Sequence, residues 1–495
     1  YKVFVMFFMK KYLALLFFSF ISLLVKSQTF TLNITKGYGS GTYQKGDTIQ
    51  IWSFADKNRL TFNQWQGSAT PYMLEENEWL TRISVPVNDT VSNINAIASF
   101  KILKSTVKSG HQEILLPGMD DGLYIPTLKK IVYQIPKNPK GIIFCFHNTD
   151  ESVDEFETDF EKRSFFKAGA NQNYIMIATE ANEAAFGKKD SKWQIKNSLT
   201  DNENNNIDIH TIKMLRDTII NRYNLPYNIP SFSVGVSNGA NFGDLCAAAL
   251  NFNASAHLIG NGLHDIYKNR SDATAVIFIE SINAKDESGN PNSALNNHKI
   301  LLSREIESKF LWHTRTPLYS QRFFRTSNLP VSKEVSDSIV RRLQRDRALL
   351  DIKNQLLLNN NSELPEKIFD HLGLSEKLIV DCKNQIKIMN AENQFNSHYN
   401  YRILNFFNIQ VNISPRDSTL KKEIGNGTFK NTTNNSFFLN MDKHTSISVL
   451  SSSGKLVYQV KGISEINMNP FPKGVYYIKK NNSGKTTVEI VVKEK

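Results

Sequence analysis

The chain has 495 residues, 40% apolar and 21% charged, a composition ordinary for folded protein. At roughly 100–200 residues per domain it is long enough for about two to four domains. Its net charge of +12 is spread thinly, with no dense Lys/Arg tract interleaved with aromatics, which argues against nucleic acid as a partner. The three cysteines, Cys145, Cys246 and Cys382, form no framework and read as buried free thiols. No CxxC or HExxH occurs, so neither a metal site nor a cofactor is expected.

The chain opens with a targeting pattern. Met9 is followed by Lys10-Lys11, an apolar run from Tyr12 to Val25, and Lys26-Ser27. That is a charged n-region, an h-region and a small residue at a cleavage site, so residues 1–27 read as a signal peptide with Met9 as its start and Gln28 as the mature N-terminus. The apolar run is too short for a stable membrane span.

Residues 28–101 read as all-β. Segments such as Phe30 to Ile34 and Thr48 to Trp52 alternate between Gly-rich turns, with Phe62 and Trp65 as core. The run Gly37-Tyr38-Gly39-Ser40-Gly41-Thr42-Tyr43, then Lys45-Gly46-Asp47, Phe62-Asn63-Gln64-Trp65-Gln66-Gly67 and Asn95-Ala96-Ile97-Ala98-Ser99-Phe100 resembles a divergent internalin-type B-repeat. The resemblance implies a small stalk or binding module. A plain spacer is the alternative.

Residues 102–415 alternate strand and helix, which predicts a mostly parallel sheet covered by helices on both faces. Strands are expected at Lys130 to Ile135, Gly141 to Phe146, Tyr174 to Ala178, Ser231 to Val236, Ala256 to Ile259, Ala275 to Ile279 and Ile386 to Met389. Helical faces appear at Val153, Phe156 and Phe160, and at Ile212, Leu215 and Ile219. A helical insertion is expected over about 303–381. There Val335, Ile339 and Leu343 share a face and Arg341, Arg342, Arg345 and Arg347 read as solvated.

The Asn-rich stretch Gly425 to Asn435 marks a linker, residues 416–436. Residues 437–495 are β-patterned again. Gly454-Lys455-Leu456-Val457-Tyr458 and Lys473-Gly474-Val475-Tyr476-Tyr477-Ile478 resemble the C-terminal sorting domain of the type IX secretion system. That resemblance implies the secretion machinery as a partner and a secreted or cell-surface location. The fold class expected is thus multidomain, a central α/β domain with a mostly parallel sheet flanked by two small all-β domains.

The chemistry centres on Gly235-Val236-Ser237-Asn238-Gly239, between an apolar strand and a helix-compatible stretch from Asn241 to Leu250. That context suits a G-x-S-x-G nucleophile elbow, in which Ser237 projects above the sheet and the Asn238 N–H faces the site. A second oxyanion donor should come from Phe144-Cys145-Phe146-His147-Asn148-Thr149-Asp150, at Asn148 or Thr149. Asn148 and Asp150 stand where such loops often carry Gly, and both tolerate left-handed backbone. Asp286, after strand Ala275 to Ile279, is the expected acid that orients the histidine, with Glu280 and Glu287 as alternatives. His398 is the expected base, His264 and His313 lesser candidates. Asn393 in Asn393-Gln394-Phe395 occupies the place where many such hydrolases carry His-x-Phe.

The elbow, the His147 loop and the approach from Trp193 to Asp208 resemble secreted polyhydroxybutyrate-depolymerase and feruloyl-esterase-like α/β hydrolases. The resemblance implies ester hydrolysis through an acyl-serine, on polymer-derived or polysaccharide-linked esters. The competing reading is a degenerate hydrolase domain acting as a surface binding protein, which Asn148, Asp150 and Asn393 favour.

Overall fold

The computed structural model describes residues 28–53, 60–104, 107–189, 191–283, 290–325, 331–345, 349–351, 355–357 and 366–411, and the strands of the C-terminal segment. Residues 1–27, expected as a signal peptide, the Asn-rich stretch Gly425 to Asn435, expected as a linker, Asp286 and Glu287 lie outside the described residues. The chain divides into two compact units, with the division after Asn412.

The first six strands are β1 (Thr29–Thr35), β2 (Gly41–Gln44), β3 (Ile49–Trp52), β4 (Leu60–Gln66), β5 (Leu80–Ile83) and β6 (Asn93–Ile102). Four make a sheet in the order β2-β1-β6-β4, with β1 and β6 parallel, and β3 pairs with β5. Strand side chains alternate between faces. Phe30 and Leu32 of β1, Ile49 and Ile51 of β3, and Ile94, Ala96 and Ala98 of β6 therefore gather around Trp65, with Phe62 packed against them. These strands fall in the same compact unit as the residues that follow.

The main sheet has eight strands. It uses β7 (Lys108–Leu116), then, past a small hairpin of β8 (Met119–Asp120) and β9 (Leu123–Tyr124), β10 (Thr127–Ile135), β11 (Gly141–Phe146), β12 (Tyr174–Thr179), β13 (Ser231–Val236), β14 (Ala254–Leu258), β15 (Ala275–Ser281) and β16 (Ser308–His313). The order is β16-β15-β14-β13-β11-β12-β10-β7, parallel from β16 to β12 and antiparallel at β10 and β7. Strands β11, β12 and β13 are buried at every position, as strands covered on both faces must be.

Helices α1 (Glu155–Thr158), α2 (Phe160–Asn171), α3 (Asn182–Ala185), α4 (Ile207–Arg222), α5 (Asn238–Ala249), α6 (His264–Asn269), α7 (Pro291–Ser303), α8 (Lys333–Arg345), α9 (Glu376–Met389) and α10 (Asn400–Gln410) complete the unit. Ile209, Ile212, Leu215, Phe242, Leu245 and Leu301 pack one face of the sheet through α4, α5 and α7. Phe156, Phe165, Phe166, Leu404, Phe406 and Phe407 pack the other through α1, α2 and α10. The three cysteines are free and buried. No helix among the described residues is long and apolar enough to cross a membrane.

The last strand is not where the sequence pattern puts it. Ile386 to Met389 belong to α9, which Ser375 caps by accepting the Leu378 N–H, and Cys382, Ile386 and Met389 share its buried face. A four-residue apolar run has no period of its own, and here it closes a helical one. The sheet ends instead at β16, inside the stretch expected to be helical insertion. The inserted material is therefore residues 314–390, with its own core of Phe323, Ile339, Leu343 and Ile386. Arg342 is not merely solvated, because it donates to the carbonyls of Lys367, Ile368 and Asp370.

The C-terminal strands β17 (Ser436–Phe438), β18 (Ser446–Ser451), β19 (Leu456–Lys461), β20 (Glu465–Asn467), β21 (Gly474–Asn482) and β22 (Lys485–Lys493) form an antiparallel sheet, β19-β18-β21-β22, and a β17–β20 pair.

Candidate active site

Ser237 is the single residue between β13 and α5. Its backbone takes φ 50° and ψ −115°, a conformation that costs a non-glycine residue about 1–3 kcal/mol. The turn is this tight because Gly235 and Gly239, two positions away on either side, carry no side chains. A methyl on Gly235 would collide with the Gly239 carbonyl, and one on Gly239 with the carbonyls of Phe146 and His147. The Ser237 N–H is held by the carbonyls of Leu258 and Ile259 at 3.3 and 3.2 Å, which anchors the turn to β14.

Asn238 begins α5, and the first N–H groups of a helix have no intrahelical acceptor. They form the positively polarised end that an oxyanion needs. The Asn238 side chain is engaged elsewhere: its Oδ1 accepts from Trp193 N at 2.8 Å and its Nδ2 donates to Trp193 O at 3.3 Å. Trp193 Nε1 in turn donates to His147 O at 3.0 Å, so the elbow and the His147 loop are tied through one indole.

His147 shapes that loop. Its Nδ1–H donates to Asn148 O at 2.7 Å and its Nε2 accepts from Ala181 N at 3.1 Å. Burial holds its pKa below the usual imidazole range, so the ring is a neutral strut. The expectation for Asn148 needs correction. Its N–H donates to Glu151 Oε2 at 3.0 Å, and Glu151 is paired with the buried Lys162 at 2.7 Å. That N–H is committed to a carboxylate and not offered to an oxyanion. Thr149 is half-buried beside it. Asp150 takes φ 59° and is exposed, so its carboxylate lies away from the interior.

The loops expected to carry acid and base are laced together. Ser281 Oγ donates to Ala391 O, and Asn283 Nδ2 donates to Asn390 O at 2.5 Å. Arg315 bridges them, donating to Asn283 Oδ1 at 3.1 Å and Asn390 Oδ1 at 3.3 Å. Asp286 follows Asn283 by three positions and lies outside the described residues. Glu280, the alternative acid, is buried and accepts the Gly260 N–H at 3.0 Å, bracing the turn after β14.

His398 lies just before α10, buried at 4% exposure. Its Nε2 accepts from Arg322 Nη1 at 3.0 Å, and its ring meets those of Trp79 and His313, each at 5.2 Å between centroids. Arg322 is fully buried and paired with Glu161 at 2.9 Å, and Glu161 also accepts from Ser397 N at 2.8 Å and Ser397 Oγ at 2.5 Å. Carbonyls of the β14 turn hold the Ser237 N–H, while Arg322, Trp79 and His313 meet the His398 ring. His313 closes β16. Burial holds its pKa down at about 4, and its Nε2–H donates to Ile388 O at 3.2 Å. His264 is exposed and bonds Asn297 Oδ1 at 2.9 Å.

Sequence reasoning missed Arg322, Glu161, Trp79 and Glu78, each from a segment remote from His398. It also missed a buried pair beneath the elbow, His257 Nε2–H to Asp244 Oδ1 at 2.7 Å. Asp244 accepts from Tyr267 and Leu263 as well, and His257 Nδ1 lies 3.3 Å from Gly260 O, so the pair stiffens the turn behind Ser237. Among the described residues, no cluster of His, Cys, Asp or Glu side chains is arranged to hold a metal ion.

Comparison with known proteins now bears on the two ends of this picture. Residues 429–494 match the family model described as "Secretion system C-terminal sorting domain". The chain carries a type IX export signal. No curated protein matches it by sequence. Among solved structures, esterase Est22 is similar at 13% identity over 48% of this chain and 81% of that one, with a TM-score of 0.31. An acetyl xylan esterase from Aspergillus awamori is similar at 13% identity, over 38% and 78%, with a TM-score of 0.29. An arylesterase is similar at 10% identity, over 41% and 75%, with a TM-score of 0.27. What the structure itself gives is a mixed eight-stranded sheet with helices on both faces and a strand–turn–helix that presents Ser237.

Proposed function

We propose that this exported protein is a serine hydrolase of carboxylic esters, with Ser237 as nucleophile. The observation that carries the reading is the strained φ of Ser237 on a turn built from glycines. Such strain persists where the surrounding structure over-determines it, and it clusters at functional sites. Ser237 Oγ attacks the ester carbonyl carbon while His398 takes the hydroxyl proton. The tetrahedral oxyanion is received by the Asn238 N–H at the start of α5, with the Thr149 N–H as the second donor. The imidazolium passes its proton to the leaving alcohol, and water then hydrolyses the acyl-serine by the same route. Asp286 orients the histidine and stabilises its cation. The substrates are esters of polymer or polysaccharide origin, in keeping with export.

The imidazole must exchange Arg322 for the Ser237 hydroxyl before it can act. Catalytic hydrogen bonds often tighten only when substrate binds. Hydrolysis of p-nitrophenyl acetate tests the assignment. His398→Ala should lower kcat by several orders of magnitude, because triad members act as a unit. Unchanged turnover in that variant refutes His398 as base.

A second reading, a surface binding protein that keeps a hydrolase frame, is favoured by two observations. Arg322 occupies His398 Nε2, and Glu151 occupies the Asn148 N–H. On that reading the wild-type chain is inert and Asn393→His creates activity.

A further inference from the structure

A helix leaves its first N–H groups without acceptors, and its N-cap side chain usually supplies one. α10 has no such cap of its own: Tyr399, at its N-cap, makes no side-chain cap hydrogen bond. The acceptor comes from the loop that leads into β5, near the other end of the unit's sequence. Glu78, 2% exposed, takes the N–H of Tyr401 at 3.3 Å and of Arg402 at 3.0 Å. Its carboxylate thereby meets the positive end of the helix dipole.

The next residue reaches further back along the same segment. Trp79 Nε1 donates to Ser397 O at 2.8 Å and lies 3.1 Å from Ser397 Oγ. Its ring packs against His398 at 5.2 Å and against Phe160 at 6.3 Å, both close to edge-on. The Arg322 guanidinium lies 5.5 Å from the Trp79 ring centroid. The imidazole of His398 thus contacts Trp79, His313 and Arg322 together. Two more contacts fasten these strands to the insertion: Trp52 stacks on Tyr319 at 4.1 Å, and Arg82 donates to Thr314 Oγ1.

We propose that Glu78 and Trp79 are positioning residues that hold the segment Ser397–Arg402, and with it His398, at the C-terminal edge of the main sheet. The N-terminal strands then belong to the histidine half of the site. This rests on the reading of His398 as the base. Burial drives the Glu78 carboxyl well above the usual carboxylate range, and the Arg402 charge and the two N–H groups offset that only in part. Burying a carboxyl is costly unless it is hydrogen-bonded, and here the Tyr401 and Arg402 N–H groups supply those bonds.

If the contact were packing alone, any weakening of these strands would act alike. Leu32, fully buried among them, supplies that comparison. The experiment uses the full chain and the variants Glu78→Gln, Trp79→Phe, Glu78→Asp and Leu32→Ala. It reads hydrogen exchange at the Tyr401 and Arg402 amides, and the rate at which a fluorophosphonate probe labels Ser237. Glu78→Gln turns one of the two accepting oxygens into an NH2 donor that faces an N–H, and so predicts exchange faster by about tenfold at the amide that loses its acceptor. Trp79→Phe should behave likewise. Labelling should slow by about tenfold in both, Glu78→Asp should recover part of the rate, and Leu32→Ala should stay within about twofold of wild type in both readouts. Exchange and labelling altered no more in Glu78→Gln and Trp79→Phe than in Leu32→Ala overturn the proposal. A wild-type chain that takes no probe sinks the hydrolase reading by itself, and the exchange data then decide whether these residues hold the segment.

Discussion

Replacing Arg322 by methionine removes the charge at the centre of the His398 surroundings while keeping most of the side-chain volume. Arg322 and Glu161 are both fully buried, and their ion pair measures 2.9 Å. Without the guanidinium, Glu161 keeps only the N–H and hydroxyl of Ser397 as donors. Breaking a buried pair from one side leaves an uncompensated charge, which costs about 3–5 kcal/mol. A unit of this size shifts by roughly 1.2 °C per kcal/mol, so Tm should fall by about 4–6 °C. The double variant Arg322→Met/Glu161→Gln removes both charges and should recover to within about 1–2 kcal/mol of wild type. Differential scanning calorimetry of wild type, both single variants and the double variant gives the coupling energy directly. A loss below about 1 kcal/mol in Arg322→Met, the range of an exposed pair, would refute the reasoning, since the network around His398 would then not depend on that charge.

Three further outcomes follow from the geometry. Ser237→Gly should be more stable than Ser237→Ala by about 1–3 kcal/mol, because only glycine adopts this φ without strain, and chemical denaturation measures the difference. Gly239→Ala should lose several kcal/mol and all probe labelling, since the methyl meets the carbonyls of Phe146 and His147; near-wild-type stability would mean the turn is looser than described. His313, with its pKa held at about 4 by burial, is neutral in the fold where the unfolded chain takes a proton. Its contribution is complete above pH 6.5 and is lost as pH falls from 6.5 towards 4, up to about 3 kcal/mol. His313→Gln should flatten that part of the pH–stability profile measured by urea unfolding, and an unchanged slope would contradict the assignment.

How much of this was legible in the sequence depends on how local the cause is. The elbow was readable because Gly235, Ser237 and Gly239 lie within five residues and the apolar strand ends right before Ser237. The strands at Gly141, Tyr174 and Ser231 were readable because burial on both faces leaves an unbroken apolar run. Ile386 to Met389 has the same apolar character, and only its continuation from Cys382 and the Ser375 cap makes it helical. The antiparallel edge strand β7, with Lys108, Ser109, His111 and Glu113 on exposed positions, gave no such run. The surroundings of His398 were out of reach for another reason. Glu78 and the α10 amides are 323 and 324 positions apart, and Arg322 and Glu161 are 161 apart. No spacing rule spans such distances. The competition for the Asn148 N–H was closer in sequence, but it depends on the side-chain direction of Glu151, which residue types do not give.

The central claim is that Ser237 is an activated nucleophile. Treating the full chain with a fluorophosphonate probe and locating the adduct by peptide mass spectrometry tests this most directly. The account predicts one adduct, on the peptide containing Ser237, absent in Ser237→Ala and strongly reduced in His398→Ala. A wild-type chain that stays unlabelled, or an adduct that persists in Ser237→Ala, would contradict it.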